Sequence, residues 1–290
     1  MPKPEILSIG SLVIDVINGS KKIGGASANT AVDMRMLGAE AGLLTGLSQE
    51  TESKDYQRYL NQIGIPVYGL SRDLDQLPRC VIHMGDDGKE IGYDWHGNGI
   101  EELFQSSEVD NELIRNYPMI YLAICEQAFA QKVSKTVTPD QVLSYNPGSR
   151  VFDDLEYFKA TQPRADFIFL NEREYGHLLA QGVVQEPSDL IVRDDQVAVL
   201  TAGSKDTLLV SRDTIQYVTP ETVVAIDETG AGDSFASAFL WAKIQGYPFI
   251  DCVRIGNLLA SFVVQQIGCQ IESDTANKFK KEAKRRRLIR

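Results

Sequence analysis

Positive charge is scarce in this 290-residue chain: 29 Lys and Arg stand against 40 Asp and Glu, a net −11. Most of the length is poorer still. Lys278–Arg290 holds eight basic residues and one acid, and without that +7 segment the rest carries −18. Such a body repels a phosphate backbone, which excludes general nucleic-acid binding. The basic segment itself reads as a solvated last helix rather than an anion site. Cysteine is sparse too. Cys80, Cys125, Cys252 and Cys269 lie far apart with no CxxC pair, which excludes a zinc knot or redox disulfide and leaves core thiols. His83, His96 and His177 show no HExxH spacing, so a histidine-based metal site is not expected. No apolar run reaches the ~18 residues of a membrane-spanning helix. Phe235–Ile244 and Leu258–Val264 come nearest and read as core helices. Met1-Pro2-Lys3-Pro4-Glu5 leads into strand-like sequence without an apolar targeting region, so a cytoplasmic location is expected, with no membrane partner. Internal repeats, low-complexity tracts and Pro/Ser-rich linkers are missing, and the expectation is one domain over 1–290. There is no GxxxxGK[ST], which excludes a P-loop NTPase, and no GxGxxG after the first strand, which weakens a dinucleotide site.

What is present is an alternation of strands and helices. Glu5–Ile17 reads as one long strand, Ser27–Leu37 as a helix ending at Gly38, Ala41–Gly46 as a strand, Lys54–Ile63 as a helix and Val67–Leu70 as a strand. Cys80–Met84 and Glu90–Trp95 flank Gly85-Asp86-Asp87-Gly88, which predicts a hairpin outside that rhythm. Then Met119–Ile124, Val142–Tyr145, Phe167–Leu170, Val197–Leu200, Thr207–Val210, Ile215–Val218 and Val223–Ile226 read as strands. Ala128–Thr136, Phe152–Ala160, Glu172–Ala180, Asp233–Gln245 and Phe249–Gln266 read as helices. The fold class is α/β: a doubly wound, mostly parallel sheet with helices on both faces, where ligands bind beyond the carboxyl ends of the strands.

Two stretches there carry more Gly and small polar residues than a core needs. Asp227-Glu228-Thr229-Gly230-Ala231-Gly232-Asp233-Ser234 precedes a strong helix, so the amides of Gly230, Ala231 and Gly232 converge on an anion site with Asp233 beside it. That pairing suits phosphoryl transfer, the amides stabilising charge and the carboxylate accepting a hydroxyl proton; the plainer alternative makes Asp233 an N-cap. Gly24-Gly25-Ala26-Ser27-Ala28-Asn29 allows close backbone approach, and Asn29 with Asp15 forms a plausible clamp for hydroxyls. The alternatives are a tight turn for the glycines, an Asn29 facing solvent and a turn-capping Asp15.

Together these stretches resemble the signatures of the pfkB, or ribokinase-like, carbohydrate kinases: Asp227–Asp233 followed by Ser234–Phe239 is similar to the C-terminal one, and Gly24–Asn29 with Gly38 and Gly46 to the N-terminal one. Asn171-Glu172-Arg173-Glu174 resembles the family's NxxE motif, Thr201-Ala202-Gly203 its TxG, and Asn257 the asparagine near the adenine. The resemblance runs in order from about Ile6 to Gly268. It implies ATP and Mg2+, with Asp233 as catalytic base and Gly230, Ala231 and Gly232 as the anion hole. It gives Asp15, Gly25 and Asn29 the acceptor's hydroxyls, with Gly24 beside them; Asn98, just after the hairpin, is a further candidate amide for the acceptor on its residue type alone. Asn171 and Glu174 would organise magnesium through water, and Thr201, Gly203 and Asn257 would contact ATP. Asp227 and Thr229 align with residues framing a monovalent-cation site, K+ in some members. Asn171 and Glu174 equally read as a capping box. Only the eight residues Val16–Ile23 separate Asp15 from Gly24. The expected β lid is therefore reduced to a hairpin at about 79–99, leaving monomer and homodimer open. Tyr93, Trp95 and His96 on that hairpin suit stacking or ordinary packing. Asn146-Pro147-Gly148 and the sequence around Gly268 are most similar to archaeal-type nucleoside kinases, which favours a nucleoside 5′-hydroxyl as acceptor. A sugar, sugar acid or myo-inositol remains the alternative, and a non-catalytic binding module on the same fold the least favoured one.

Overall fold

The structure, a computed structural model, describes residues 3–70, 74–85, 90–97, 100–123 and 127–290. The first half builds β1 (Ile6–Ile9), β2 (Val13–Ile17), β3 (Ser20–Gly24), α1 (Ala26–Leu37), β4 (Ala41–Thr45), α2 (Thr51–Gln62), β5 (Val67–Gly69), β6 (Arg79–Met84), β7 (Glu90–His96), α3 (Ile100–Ser106) and α4 (Asn111–Arg115). Next come β8 (Met119–Ala123), α5 (Gln127–Thr136), β9 (Val142–Asn146), α6 (Arg150–Asp153), α7 (Leu155–Thr161), β10 (Phe167–Asn171) and α8 (Glu172–Ala180). The chain closes with β11 (Val197–Thr201), β12 (Thr207–Val210), β13 (Ile215–Val218), α9 (Ala231–Ile244), α10 (Phe249–Val263) and α11 (Ser273–Arg285).

Nine strands form one sheet in the order β13-β12-β11-β10-β9-β8-β1-β4-β5, parallel from β5 to β11 with an antiparallel edge at β12 and β13. Its strands are apolar at successive positions because both faces are covered. Ile6, Tyr121, Phe169 and Val199 face α9, α10 and α11 in one core, while Leu7, Ile120, Ile168 and Leu200 face α5, α7 and α8 in the other. A smaller sheet, ordered β3-β2-β6-β7, rests on α1 through Leu12, Ile14 and Ile23.

Several expectations change. Glu5–Ile17 is two strands: residues 10–12 leave the ladder, so β1 lies in the large sheet and β2 in the small one. Asp15 therefore sits within a strand of the small sheet, not at the end of the first core strand. Val16–Ile23 is not a mere connection: it supplies parts of β2 and β3, because Asn18 and Gly19 take positive φ of 49° and 76° and close a two-residue hairpin between them. The β6–β7 hairpin forms as expected, although its turn at 86–89 lies outside the described residues. Val223–Ile226 is no strand. Val224 is 85% exposed, and the Ile226 amide bonds the Val264 carbonyl at the end of α10 rather than a strand. The Phe152–Ala160 helix breaks at Asp154, whose side chain accepts the Tyr157 amide and so starts α7. The basic last helix is not wholly solvated either, since Ala276, Phe279 and Ala283 bury one face of α11. Of the cysteines, Cys252 and Cys269 are buried, Cys80 is partly exposed and Cys125 lies outside the described residues.

Candidate active site

Three neighbouring parallel strands end on polar residues: β9 at Asn146, β10 at Asn171 and β11 at Thr201, the last two directly paired. The small sheet stands across from them, with Val13, Asp15, Cys80, Ile82 and Trp95. Between the two lies a cleft of about 330 Å³ whose lining also takes in Gly25, Asn29, Glu174, Thr229, Gly230, Gly232 and Asp233.

The N-terminus of α9 forms one end. Gly230 is the N-cap, at φ 76° and with no side chain capping the helix, so first-turn amides face the cleft. A Cβ on Gly230 would sit 2.3 Å from that of Cys269, so only glycine lets the 228–232 turn lie against the 268–271 segment. The Ala231 amide bonds the Glu228 carbonyl at 3.2 Å and is turned inward, which leaves Gly232 and the amide of Asp233 itself as the open donors. Asp227 is buried; its two carboxylate oxygens accept the amides of Thr229 and Gly268, each at 2.9 Å. Those bonds tie the two segments together and account for its burial without a cation.

Asp233, in the first turn of α9, is partly exposed to the cleft, and its Oδ2 accepts the Asn29 side-chain amide at 2.8 Å. Burial of the carboxylate raises its pKa to about 6, and the Asn29 donation opposes the rise. Asn29 Oδ1 in turn accepts Cys269 Sγ at 3.2 Å and Gln270 Nε2 at 3.0 Å. Asp15, 5% exposed, takes the room a side chain at Gly24 would need, a Cβ there falling 2.1 Å from its carboxylate. The gap made by Gly24 thus serves Asp15 rather than a ligand. Burial pushes Asp15 to about 7; the Cys269 thiol, 3.5 Å from Oδ2, opposes this, and the Asp233 charge adds to it.

Asn171 caps α8. Its side chain accepts the Glu174 amide at 2.9 Å, and Glu174 bonds back to the Asn171 amide at 2.9 Å and its Nδ2 at 2.8 Å. The capping box is real, and Glu174 lines the cleft as well. Burial raises this carboxyl to about 7, against the pull of the Asn171 amide.

Two expected residues sit elsewhere. Gly203 is on the exposed turn after β11, and Asn257 is buried between α10 and the sheet edge, accepting the Thr207 hydroxyl at 2.9 Å. Asn98 lies outside the described residues. The sequence reading missed Cys269 and Gln270 as partners of Asn29, and Cys80, Ile82 and Phe169 as cleft wall. Only the cysteine, one residue after Gly268, carried any signal, and it read as a core thiol. Among the described residues, no Lys, Arg or His lines the cleft.

An amide cradle at a helix N-terminus, with a carboxylate fixed beside it and polar strand ends across the cleft, is an arrangement that can serve phosphoryl transfer to a small alcohol. The chain belongs to the pfkB family of carbohydrate kinases, whose profile it matches over residues 3–276. It is 28% identical to a nucleoside kinase of Methanocaldococcus jannaschii, over 95% of this chain and 90% of that one. The crystal structure of that archaeal enzyme superposes with a TM-score of 0.77, at 24% identity and covering 96% and 98% of the two chains. An ATP-dependent ribose-1-phosphate kinase of Halopiger xanaduensis is 30% identical over 75% of this chain and 72% of its own. A Burkholderia thailandensis nucleoside kinase in complex with inosine has a TM-score of 0.79 at 17% identity, covering 95% and 98% of the chains.

Proposed function

We propose that the protein transfers the γ-phosphate of ATP to a hydroxyl of a neutral acceptor, a nucleoside before a free sugar. The observation that carries this reading is the cleft's charge. Asp15, Glu174 and Asp233 line it, and no cationic side chain among the described residues does. A sugar phosphate or sugar acid would bring an anion to the carboxylates of Asp15 and Asp233 with nothing to pair it, whereas a nucleoside brings only hydroxyls and a flat base. Trp95 and Ile82 on the small sheet and Phe169 on β10 give that base an apolar surface. The ribose hydroxyls fit Asp15 and Asn29, and the small sheet serves as lid over them.

Asp233 acts as base. The 2.8 Å bond from Asn29 fixes its orientation, and its pKa of about 6 leaves it ionised at neutral pH yet able to take a proton from the acceptor hydroxyl. The open amides of Gly232 and Asp233, with Gly230 shaping the turn, hold the transferred group. Thr201 lines the donor end and Asn171 borders it. The lining suits a magnesium ion: a triphosphate entering it meets carboxylates and no cation, and Glu174, whose two oxygens already accept from Asn171, would hold the ion through water. Bound there, Mg2+ would supply the positive charge that the phosphates lack. The hydrogen bonds of Asp227 give no support to a K+ ion beside it and Thr229, and the reading includes none.

The test is ADP release from MgATP across nucleosides, ribose, fructose, myo-inositol, ribose 1-phosphate and sugar acids. A nucleoside should show the highest kcat/KM. Ribose 1-phosphate or a sugar acid as best acceptor would reject the neutral-acceptor reading.

A further inference from the structure

Asp33 is a wholly buried carboxylate, 0% exposed, that neither the phosphate cradle nor the acceptor clamp uses. It lies on α1 one turn after Asn29, so both project from the same side of the helix. Its Oδ2 accepts the Ser234 hydroxyl at 2.5 Å, and its Oδ1 accepts the Ile271 amide at 2.9 Å. Among the described residues no Lys, Arg or His pairs with it. A buried carboxylate held by two neutral donors is an expensive way to fill a core. An apolar residue would pack there at less cost, so the position makes sense through what the carboxylate does to its neighbours.

Both neighbours adjoin the groups that hold Asp233. Ser234 is the next residue in the first turn of α9. Ile271 follows Cys269 and Gln270, whose Sγ and Nε2 reach Asn29 Oδ1 at 3.2 and 3.0 Å. Asn29 closes the ring by donating to Asp233 at 2.8 Å. Three segments, α1, the start of α9 and residues 268–271, are thereby locked around one carboxylate. We propose that Asp33 is a positioning residue for phosphoryl transfer: through Ser234 and Ile271 it sets where the Asp233 carboxylate stands relative to Asn29 and the amide cradle. This rests on the reading of Asp233 as base.

The ionisable groups that bear on Asp33 are Asp233 on α9 and the Cys269 thiol on the 268–271 segment, with Asp15 on β2 reaching it only through that thiol. Burial pushes Asp33 up to about 7; the Ile271 and Ser234 donations oppose the rise and the Asp233 charge adds to it. At that value Asp33 is already mostly protonated where Asp233 titrates, so its hold on Asp233 is one of placement rather than of charge.

The experiment compares Asp33→Asn, Ser234→Ala and Asp233→Asn, recording kcat, the KM for ATP, the acid limb of kcat/KM and thermal unfolding. The Asp33→Asn protein should stay folded and keep its ATP KM within about twofold, yet lose kcat by about tenfold or more, since small misplacements of a reacting group are costly. Its acid limb should stay close to that of the wild type, because Asp33 is already mostly protonated where Asp233 titrates. Ser234→Ala should lose kcat by a smaller factor in a fully folded protein. Wild-type kcat in both variants would overturn the proposal, as would a loss of kcat that only tracks the fraction unfolded. Near-normal turnover in Asp233→Asn would instead remove the base assignment itself, and the positioning role with it.

Discussion

The two sheets of this protein teach different things. The central strands of the nine-stranded sheet are buried on both faces and serve packing, and three of them, β9, β10 and β11, end on the polar Asn146, Asn171 and Thr201. The four-stranded sheet is half-exposed. Lys21 and Lys22 face solvent, Trp95 is 49% exposed, and Asp15 lies buried within it at the cleft. On the proposed function, the large sheet sets the phosphate end through helices docked on a rigid core, and the small one sets what the acceptor meets. Stability should follow the first and acceptor choice the second.

The sharpest way to break that division is at Gly230. An alanine there meets Cys269 at 2.3 Å and must hold φ at 76°, a conformation that costs a side chain about 1–2 kcal/mol before any clash. Activity should fall by about 100-fold or more, as when an oxyanion donor is displaced, and thermal unfolding should drop as well. Next in size is the contrast between Phe239→Ala and Trp95→Ala. Phe239 meets Phe167 and Phe169 edge-to-face and stacks on Phe235 at 0% exposure, so its truncation should cost about 3–5 kcal/mol in denaturant titrations. Trp95→Ala should change stability by less than about 0.5 kcal/mol while raising the acceptor KM up to about tenfold. Equal stability losses in the two variants would erase the comparison.

A smaller effect is expected from pH. Asp15, Asp33 and Glu174 have folded pKa values of about 7 and Asp233 of about 6, all above the ordinary carboxylate values near 4. Between those limits the folded state holds protons that the unfolded state has released. Their contribution is therefore fully present below the unfolded values and is lost as pH rises through 6 to 7. The unfolding temperature should be higher at pH 5 than at pH 8, and Asp33→Asn should flatten the slope; a melting temperature that climbs over this range would contradict the burial of these groups. Least of all, removing the exposed Lys205–Glu172 pair should move stability by no more than about 0.5 kcal/mol.

Sequence reasoning reached the large sheet easily, because a strand buried on both faces writes itself as an unbroken apolar run. It reached the small sheet unevenly. Asn18-Gly19 between apolar stretches is a strong hairpin signal, yet Glu5–Ile17 reads as one strand when periodicity cannot say which sheet a residue joins. Asp233, Asn29, Asp15 and Glu174 were legible because glycine-rich turns and helix starts mark them. Asp33 and Cys269 were not, since each acts through a contact more than 200 residues away in the chain, with Ser234 and Asn29 respectively. No local pattern encodes such a pairing.

On the proposed mechanism, Asp233 removes the acceptor's proton. The most direct measurement is single-turnover phosphoryl transfer by Asp233→Asn, with MgATP binding measured separately by calorimetry. Loss of a general base predicts a transfer rate lower by about 100-fold or more, with ATP affinity close to that of the wild type. A transfer rate within a few-fold of wild type would contradict the account.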